Sequence, residues 1–280
     1  MEFFDGRRHH FYLNTPESCP TGPIGDVASS GYECSDGART LKIKKLALCL
    51  PLLLLVGCTN ADPVPIAQQP RIPARSQGVD LATDAGRVAQ YIKSNGLDFV
   101  ARYYRTPGSR WPALSANEAR ALSALGLNVV AVFESHSHHR DYFSYARGYW
   151  DAMQAAQQAK AVGQPGGSAI YFAVDFDARG ADIVPIDQYF RGITNGLAAA
   201  GAGRPEYKVG VYGSGAVCES LKGRGLAQYA WLTNSTAWAG TMNYADWNIR
   251  QGRPYATLGF INHDSNEARD DYGGFRLAGM

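Results

Sequence analysis

The sequence predicts an α/β fold, a (β/α)8-type TIM barrel that is irregular because helices are missing between its last three strands. From Gly78 onward, short runs rich in β-branched and aromatic residues alternate with amphipathic helical stretches. A single barrel of this type needs roughly 200–250 residues, which this part of the chain supplies. No glycine-rich dinucleotide or phosphate fingerprint follows the first run, which favours the barrel over an open doubly wound sheet, the alternative.

The first five predicted strands each precede a helix, and their nearly uniform apolarity indicates burial on both faces. Ser115 begins the second helix, and Glu118 three residues later predicts a capping box. The strands are residues 78–81, 99–103, 128–133, 169–174 and 208–212. The helices are residues 84–94, a helix from 115, 141–162, about 186–200 and 216–222. The last three strands, 229–232, 247–250 and 260–262, have no convincing helix between them.

The composition does not single out a function but excludes some partners. The chain has 280 residues, of which 45% are hydrophobic and 19% charged, an ordinary globular balance. Its formal net charge is +2, and lysine and arginine are scattered among acids, so no nucleic-acid partner is expected. No cofactor motif is present. Once the chain is cut before Cys58, Cys218 has no disulfide partner and is expected to be a small buried apolar residue.

The N-terminal region has the pattern of a secretory signal. Lys42, Lys44 and Lys45 precede an apolar run at 46–56, which is shorter than the about 20 residues that span a bilayer. The end of the run, Leu-Val-Gly-Cys, resembles the bacterial lipobox, in which the peptidase cuts before the cysteine and the thiol carries a diacylglycerol. Cys58 is therefore the expected lipid attachment site, and the expected partner is a membrane.

The expected domain organisation follows from this signal. Residues 41–57 are the expected lipoprotein signal peptide, 58–77 a proline-rich tether, and 78–280 the barrel domain. Residues 1–40 are expected to be a start-site artefact or a disordered extension, with translation starting near Leu41. The predicted location is the bacterial cell envelope, and Thr59, where inner-membrane lipoproteins often carry Asp, favours the periplasmic face of the outer membrane.

Acidic side chains follow several of the predicted strands, where barrel enzymes build their sites. Carboxyl groups crowded at one opening raise the pKa of at least one member, as a general acid requires. Glycosidases use such a pair about 5–9.5 Å apart. Asp175 and Asp177 are two residues apart on an extended chain, so they are expected to point to the same side. The strand-end residues are Asp80, Glu134, Asp175, Asp177, Gln251 and Asp264.

Aromatic residues and histidines accompany these acids. Rings that can stack on sugar faces, or simply fill the core, are Tyr103, Tyr104, Tyr212, Trp231 and Trp238. The run His136-Ser137-His138-His139 invites a metal interpretation, but it lies in one loop and lacks the helical His-Glu-x-x-His spacing. We expect these histidines to solvate the rim, and no metal site is predicted.

The strand ends resemble a known family. The stretches Gly-Val-Asp at 78–80, Val-Phe-Glu at 132–134, Ile-Tyr-Phe-Ala-Val-Asp-Phe-Asp at 170–177 and Val-Gly-Val-Tyr-Gly at 209–213, with Asp264, resemble the bacterial glycoside-hydrolase-like domain of unknown function. That domain is related to glycoside hydrolase family 25 lysozymes, and the resemblance covers about residues 77–275. It implies Asp80, Asp175 and Asp264 as site acids. It places Asp177, one methylene shorter, where the lysozymes carry their catalytic glutamate.

The predicted function is that of a glycoside hydrolase-like lipoprotein acting on peptidoglycan or a related N-acetylated glycan by carboxylate acid/base catalysis. Asp177 or Glu134 would be the acid, with Asp175, Asp80 and Asp264 in support. The expected substrate-binding residues are Tyr103, Tyr212, Trp231 and Gln251. The alternative is a barrel that binds glycan at the envelope without cutting it.

Overall fold

The computed structural model describes residues 75–252, 256–258 and 261–278. The expected signal peptide, the lipid attachment site Cys58 and residues 1–40 lie outside the described residues. The first strand begins at Arg75, so the last three residues of the expected tether belong to the barrel. No helix in the described part of the chain combines the length and the hydropathy that crossing a bilayer requires.

Eight strands form a closed barrel, which confirms the predicted fold class. Strands β1 to β7 pair with their chain neighbours in parallel order, and β9 lies antiparallel between β7 and β1. A short strand, β8, pairs only with β9 as a hairpin. The strands are β1 Arg75–Asp80, β2 Phe99–Tyr104, β3 Asn128–Phe133, β4 Ala169–Ala173, β5 Lys208–Gly213, β6 Tyr229–Leu232, β7 Ile249–Gln251, β8 Ala256–Leu258 and β9 Ile261–Arg269.

Helices cover the first five strands, as the sequence predicted. They are α1 Ala89–Ser94, α2 Ala116–Ala124, α3 Tyr145–Val162, α4 Ile183–Ala200 and α5 Gly215–Gly223. Among the described residues no helix follows β6 or β7. The predicted parallel strand at 260–262 is corrected to the antiparallel β9, because a connection as short as the one after Gln251 cannot make a parallel crossover.

Helices α3 and α4 approach each other at the distance of backbone contact. A Cβ on Gly192 would lie 2.1 Å from the Tyr145 carbonyl oxygen, and one on Gly148 would lie 1.9 Å from the Tyr189 carbonyl oxygen. Only glycine permits this approach, which holds the two long helices against each other beside β4. The helix pair thus fixes the wall of the barrel from which the β3 and β4 loops emerge.

A buried ion pair joins β2 to α2 and to the segment after β1. Arg102 Nε donates to Glu118 Oε1 at 2.5 Å, and both side chains are almost fully buried. Arg102 also donates to the Leu81 carbonyl, and the Ala85 amide donates to the same Glu118 oxygen. Ser115 caps α2 as predicted, by accepting from the Glu118 amide. The expected return bond of the capping box is absent from the described contacts, because the Glu118 carboxylate is occupied by Arg102 and Ala85.

We expect Glu118→Gln to lower the free energy of unfolding by about 3–5 kcal/mol, because it leaves the Arg102 guanidinium buried without a counter-charge. The matched control is Glu206→Gln, which breaks an ion pair to Lys160 whose two side chains are about half exposed. That change should cost less than about 1 kcal/mol. Urea unfolding of both variants measures these changes. Equal losses in the free energy of unfolding would show that the buried Arg102–Glu118 pair contributes no more to stability than the exposed pair.

Candidate functional site at the barrel opening

The antiparallel last strand places a second acid directly beside the end of the first strand. Asp80 is the last residue of β1, and its register partner on β9 is Asp264. Because β9 runs against the other strands, its beginning, rather than its end, lies at the opening where β1 to β7 end. Asp264 was expected at the end of the eighth strand; it lies near the beginning of that strand and still reaches the same opening.

Asp80 is 6% exposed and accepts three hydrogen bonds. The donors are the Tyr103 hydroxyl at 3.1 Å, Gln251 Nε2 at 3.2 Å and Asn266 Nδ2 at 2.7 Å. Gln251 Nε2 also donates to Asp264 Oδ2 at 3.0 Å, so one amide bridges the two acids. Burial and then the nearby Asp264 charge raise the pKa of Asp80 to about 6, although the three hydrogen bonds lower it.

A second acidic group lies where β3 and β4 end. Glu134 follows β3 and is half-buried, and Asp175 lies two residues beyond β4. His138, in the loop after Glu134, places Nδ1 3.2 Å from Asp175 Oδ2. Burial and then the Asp175 charge raise the pKa of Glu134 to about 7, against the opposing effects of Arg105 and His138. The Asp80 charge also raises this pKa, so the two acidic groups are close enough to interact.

The hydroxyl groups of two tyrosines also lie near these acids: Tyr103 donates to Asp80, and Tyr212 lies close enough to Asp80, Glu134 and Asp175 to feel their charges. Burial is the first cause of the raised pKa of Tyr103 and Tyr212, and the charges of Asp80 and Glu134 raise both further. The Tyr212 hydroxyl also donates to Gln251 Oε1 at 3.0 Å. These phenols therefore stay protonated and supply hydroxyl groups to the opening. The structure brings together Tyr103, Tyr212 and Gln251, three of the four residues expected to bind substrate.

The fourth expected binding residue, Trp231, belongs to the packed interior of the barrel. It is 2% exposed, and its Nε1 donates to Asn266 Oδ1 at 2.9 Å. Its ring contacts Tyr171 and Tyr212 edge-on. Tyr104, which the sequence placed near the rim, is fully buried in the layer between strands and helices and donates to Gln164. Neither ring presents a face to a sugar, because each faces core side chains.

Asp177 lies apart from the contacts that join the other acids. Its carboxylate accepts from Arg179 Nε at 2.8 Å and from the Ala239 amide at 2.8 Å. The hydrogen bond from Arg179 is the largest cause of the lowered pKa of Asp177. Asp175 and Asp177, expected to point to the same side, contact different partners, His138 and Arg179. The strand β4 ends at Ala173 and the chain bends at Phe176, so strand alternation does not extend to Asp177.

Arg105 supplies a positive charge to the opening that the sequence analysis did not identify. Its guanidinium carbon lies 4.0 Å from the centre of the Tyr103 ring. The Gln158 side chain bonds both the Arg105 amide and the Arg105 carbonyl, at 3.0 and 2.9 Å, which fixes the backbone there. Burial lowers the pKa of Arg105, while the Glu134 charge opposes this effect. A cation directly after β2, one strand from Glu134, was the signal available in the sequence.

The arrangement also identifies Asn266 as a site residue that the sequence analysis missed. Asn266 lies two residues after Asp264 on β9, so both side chains lie on the same face of the strand. Its amide donates to Asp80 and its oxygen accepts from Trp231, which ties the acid to the barrel interior. The opening therefore combines four carboxyl groups, two protonated phenols and a guanidinium, a set of groups suited to hydrogen-bonding and protonating a polyhydroxylated ligand.

The chain is similar in sequence to two uncharacterized proteins of Bacillus subtilis. The uncharacterized protein YbfG of Bacillus subtilis strain 168 is 32% identical over 165 residues, 56% of this chain and 22% of YbfG. FadG of the same strain is 31% identical over 163 residues and 27% of its length. The chain thus matches only about a quarter of these curated relatives.

Solved structures show the same fold at lower identity. The crystal structure of the Mycobacterium tuberculosis Tat-secreted protein Rv2525c in complex with HEPES matches with a TM-score of 0.60 and 23% identity, covering 71% of this chain and 98% of that one. An uncharacterized B. stearothermophilus protein matches with a TM-score of 0.51 and 17% identity, covering 70% and 96%. The family model described as the Rv2525c-like, glycoside hydrolase-like domain matches residues 90–273, which is more than half of the chain. The chain therefore belongs to the Rv2525c-like, glycoside hydrolase-like domain family.

Proposed function

We propose that this protein is a hydrolase of the cell envelope that cuts peptidoglycan or a related N-acetylated glycan at the opening of its barrel. The observation that carries the proposal is that acids from four strands meet near two tyrosine hydroxyl groups: Asp80, Glu134 and Asp175 from the ends of β1, β3 and β4, and Asp264 from the first residues of β9. Acids held together without equal numbers of cations cost folding free energy, so a fold retains them for a task. The resemblance of these strand ends to the glycoside-hydrolase-like domain, which is related to family 25 lysozymes, supports a glycan substrate.

In this proposal Glu134 is the proton donor and replaces Asp177, the other candidate. Glu134 is half-buried beside Asp175, whereas Asp177 is paired with Arg179. Asp175 lies where it can orient an acetamido group or stabilise the oxocarbenium-like transition state. One carboxylate oxygen of Glu134 and one of Asp175 lie within 4.8 Å of each other.

The envelope location is part of the same proposal. The lysine-flanked apolar run before Cys58 supports export and lipid attachment at that cysteine. The structural relative from M. tuberculosis is described as Tat-secreted, which agrees with a site of action outside the cytoplasm. Mass spectrometry of the membrane fraction should find the mature N-terminal peptide beginning at a diacylated Cys58.

We expect Glu134→Gln to reduce the release of reducing ends from purified peptidoglycan at least 100-fold, because general acid catalysis contributes about 100- to 10,000-fold. The matched control is Asp177→Asn, which removes a carboxylate from the loop after β4 and should change the rate only a few-fold. Assays use a chelating buffer, and circular dichroism confirms that both variants are folded. Loss in Asp177→Asn with a normal rate in Glu134→Gln would assign the proton donor to Asp177 instead.

The alternative function, a barrel that binds glycan without cutting it, gives a different result in the same assay. The parent protein would release no reducing ends at any pH, yet would sediment with insoluble peptidoglycan. Glu134→Gln would then sediment as the parent does. This outcome would replace the hydrolase proposal by the binding one.

Asp80 gives a second prediction, because its charge opposes folding at neutral pH. Its pKa is about 6 in the folded state and 3.8 as the reference value. The folded state therefore holds more protons between about pH 4 and 6, and stability falls as pH rises through this window, by about 3 kcal/mol at 1.36 kcal/mol per pKa unit. Asp80→Asn should lack this loss, because the Asn oxygen can accept from Gln251 and Asn266 while its amide donates to the Tyr103 hydroxyl.

Urea unfolding at pH 4.5 and pH 7.5 measures the effect. Between pH 4.5 and pH 7.5 the free energy of unfolding of Asp80→Asn should rise relative to that of the parent by about 2 kcal/mol. Asp98→Asn, which changes an acid near the opposite end of the barrel wall, serves as the control. Parallel pH dependences of parent and Asp80→Asn would show that Asp80 is not held at a raised pKa.

A further inference from the structure

We propose that Glu134, His138 and Asp175 form a binding site for a divalent transition-metal ion at the barrel opening. From the sequence, the three histidines of the loop after β3 look equivalent. The structure separates them, because His138 lies against Asp175 while His136 and His139 are exposed. One potential ligand atom from each of the three residues lies within 4.8 Å of the other two.

The distances between the three potential ligand atoms are close to those found around a bound metal ion. Metal bonds of about 2.1 Å to nitrogen and oxygen set ligand atoms about 3.0–3.4 Å apart in the first coordination shell. His138 Nδ1 and Asp175 Oδ2 are 3.2 Å apart, which is within this range. The Glu134 oxygen lies within 4.8 Å of both, so a small rotation of the longest of the three side chains completes the set.

The backbone holds the ligands in place before any ion arrives. The Asp175 amide donates to the Ser137 carbonyl at 2.9 Å, which attaches the histidine loop to the end of β4. The Glu134 amide donates to the Tyr104 carbonyl at 3.3 Å, which continues the β2–β3 pairing to this residue. Ser137 itself is 1% exposed, so the loop is anchored next to His138. Preorganised ligands lose less conformational entropy on binding a metal.

The charge balance of the opening also favours a cation. Glu134 and Asp175 bring carboxylate oxygens within 4.8 Å of each other, so their negative charges repel. The described guanidinium nearby, Arg105, lies over the Tyr103 ring rather than between the two acids. An ion between Glu134 and Asp175 would neutralise the repulsion directly.

The ligand set indicates the class of metal. Two carboxylates and an imidazole suit Mn²⁺ or Zn²⁺, because imidazole is a poor ligand for the harder Mg²⁺ and Ca²⁺. Three protein ligands leave positions open for water or a substrate oxygen. This consequence rests on the proposed function: a Glu134 oxygen bound to a metal cannot deliver a proton, so the metal-bound protein would hold glycan without cutting it.

Mn²⁺ binding to the full chain tests the site without any glycan. Mn²⁺ is chosen because it binds cysteine thiolates weakly, so the five cysteines contribute little. The six-line electron paramagnetic resonance signal of free Mn²⁺ reports the unbound ion as protein is added. The variants are His138→Asn and Glu134→Gln, and the matched controls are His136→Asn and His139→Asn from the same loop.

We expect one Mn²⁺ ion per parent chain, binding weakened at least tenfold in His138→Asn and Glu134→Gln, and binding within twofold of the parent in His136→Asn and His139→Asn. Mg²⁺ at the same concentration should not displace the ion. Equal binding by all five proteins would place the ion elsewhere, and no binding by the parent at 1 mM Mn²⁺ would refute the site. Reducing-end release in chelating buffer is measured separately, so a failed metal site leaves the hydrolase proposal standing, and the reverse also holds.

Discussion

The antiparallel closure of the barrel by β9 is the constraint on which the site depends. Because this strand runs against its neighbours β1 and β7, its first residues lie at the opening where the parallel strands end. Asp264 therefore lies opposite Asp80, and Asn266 lies opposite Gln251. A parallel eighth strand would carry these side chains to the opposite end of the barrel. The hydrogen bond from Asn266 to Asp80 and the Gln251 bridge between Asp80 and Asp264 depend on this register.

The barrel opening holds two groups of acids that differ in the number of hydrogen-bond donors around them. Asp80 is surrounded by hydrogen-bond donors and is tied to Asp264 through the Gln251 amide. Glu134 and Asp175 have fewer fixed donors among the described contacts and face His138 instead. The first group is thus built into the barrel, whereas the second remains available to a ligand. Glu134 and Asp175 are therefore the carboxyl groups that can protonate a substrate or bind a cation.

The sequence predicted most of the fold because its signals are local. The predicted bounds of β3 and β6 equal the observed ones, because each strand is an apolar run. Glycines and capping residues predicted the ends of the helices to within a few residues. The direction of β9 was missed, because strand direction depends on how the last connection closes the barrel and not on residue pattern. Asp80, Glu134 and Asp175 could be expected at one opening because the carboxyl ends of neighbouring parallel strands lie at the same end of a barrel. The sequence did not predict that Asp177 pairs with Arg179, because this contact depends on the bend that follows β4.

The central claim is that acids from separate strands meet at one opening to bind a glycan. A crystal structure of the protein soaked with an N-acetylglucosamine trisaccharide tests it most directly. The sugar should lie across the opening, with a glycosidic oxygen within hydrogen-bonding distance of Glu134 and an acetamido group or anomeric carbon beside Asp175. A sugar bound on another surface, or Glu134 and Asp175 found pointing away from each other, would contradict the claim.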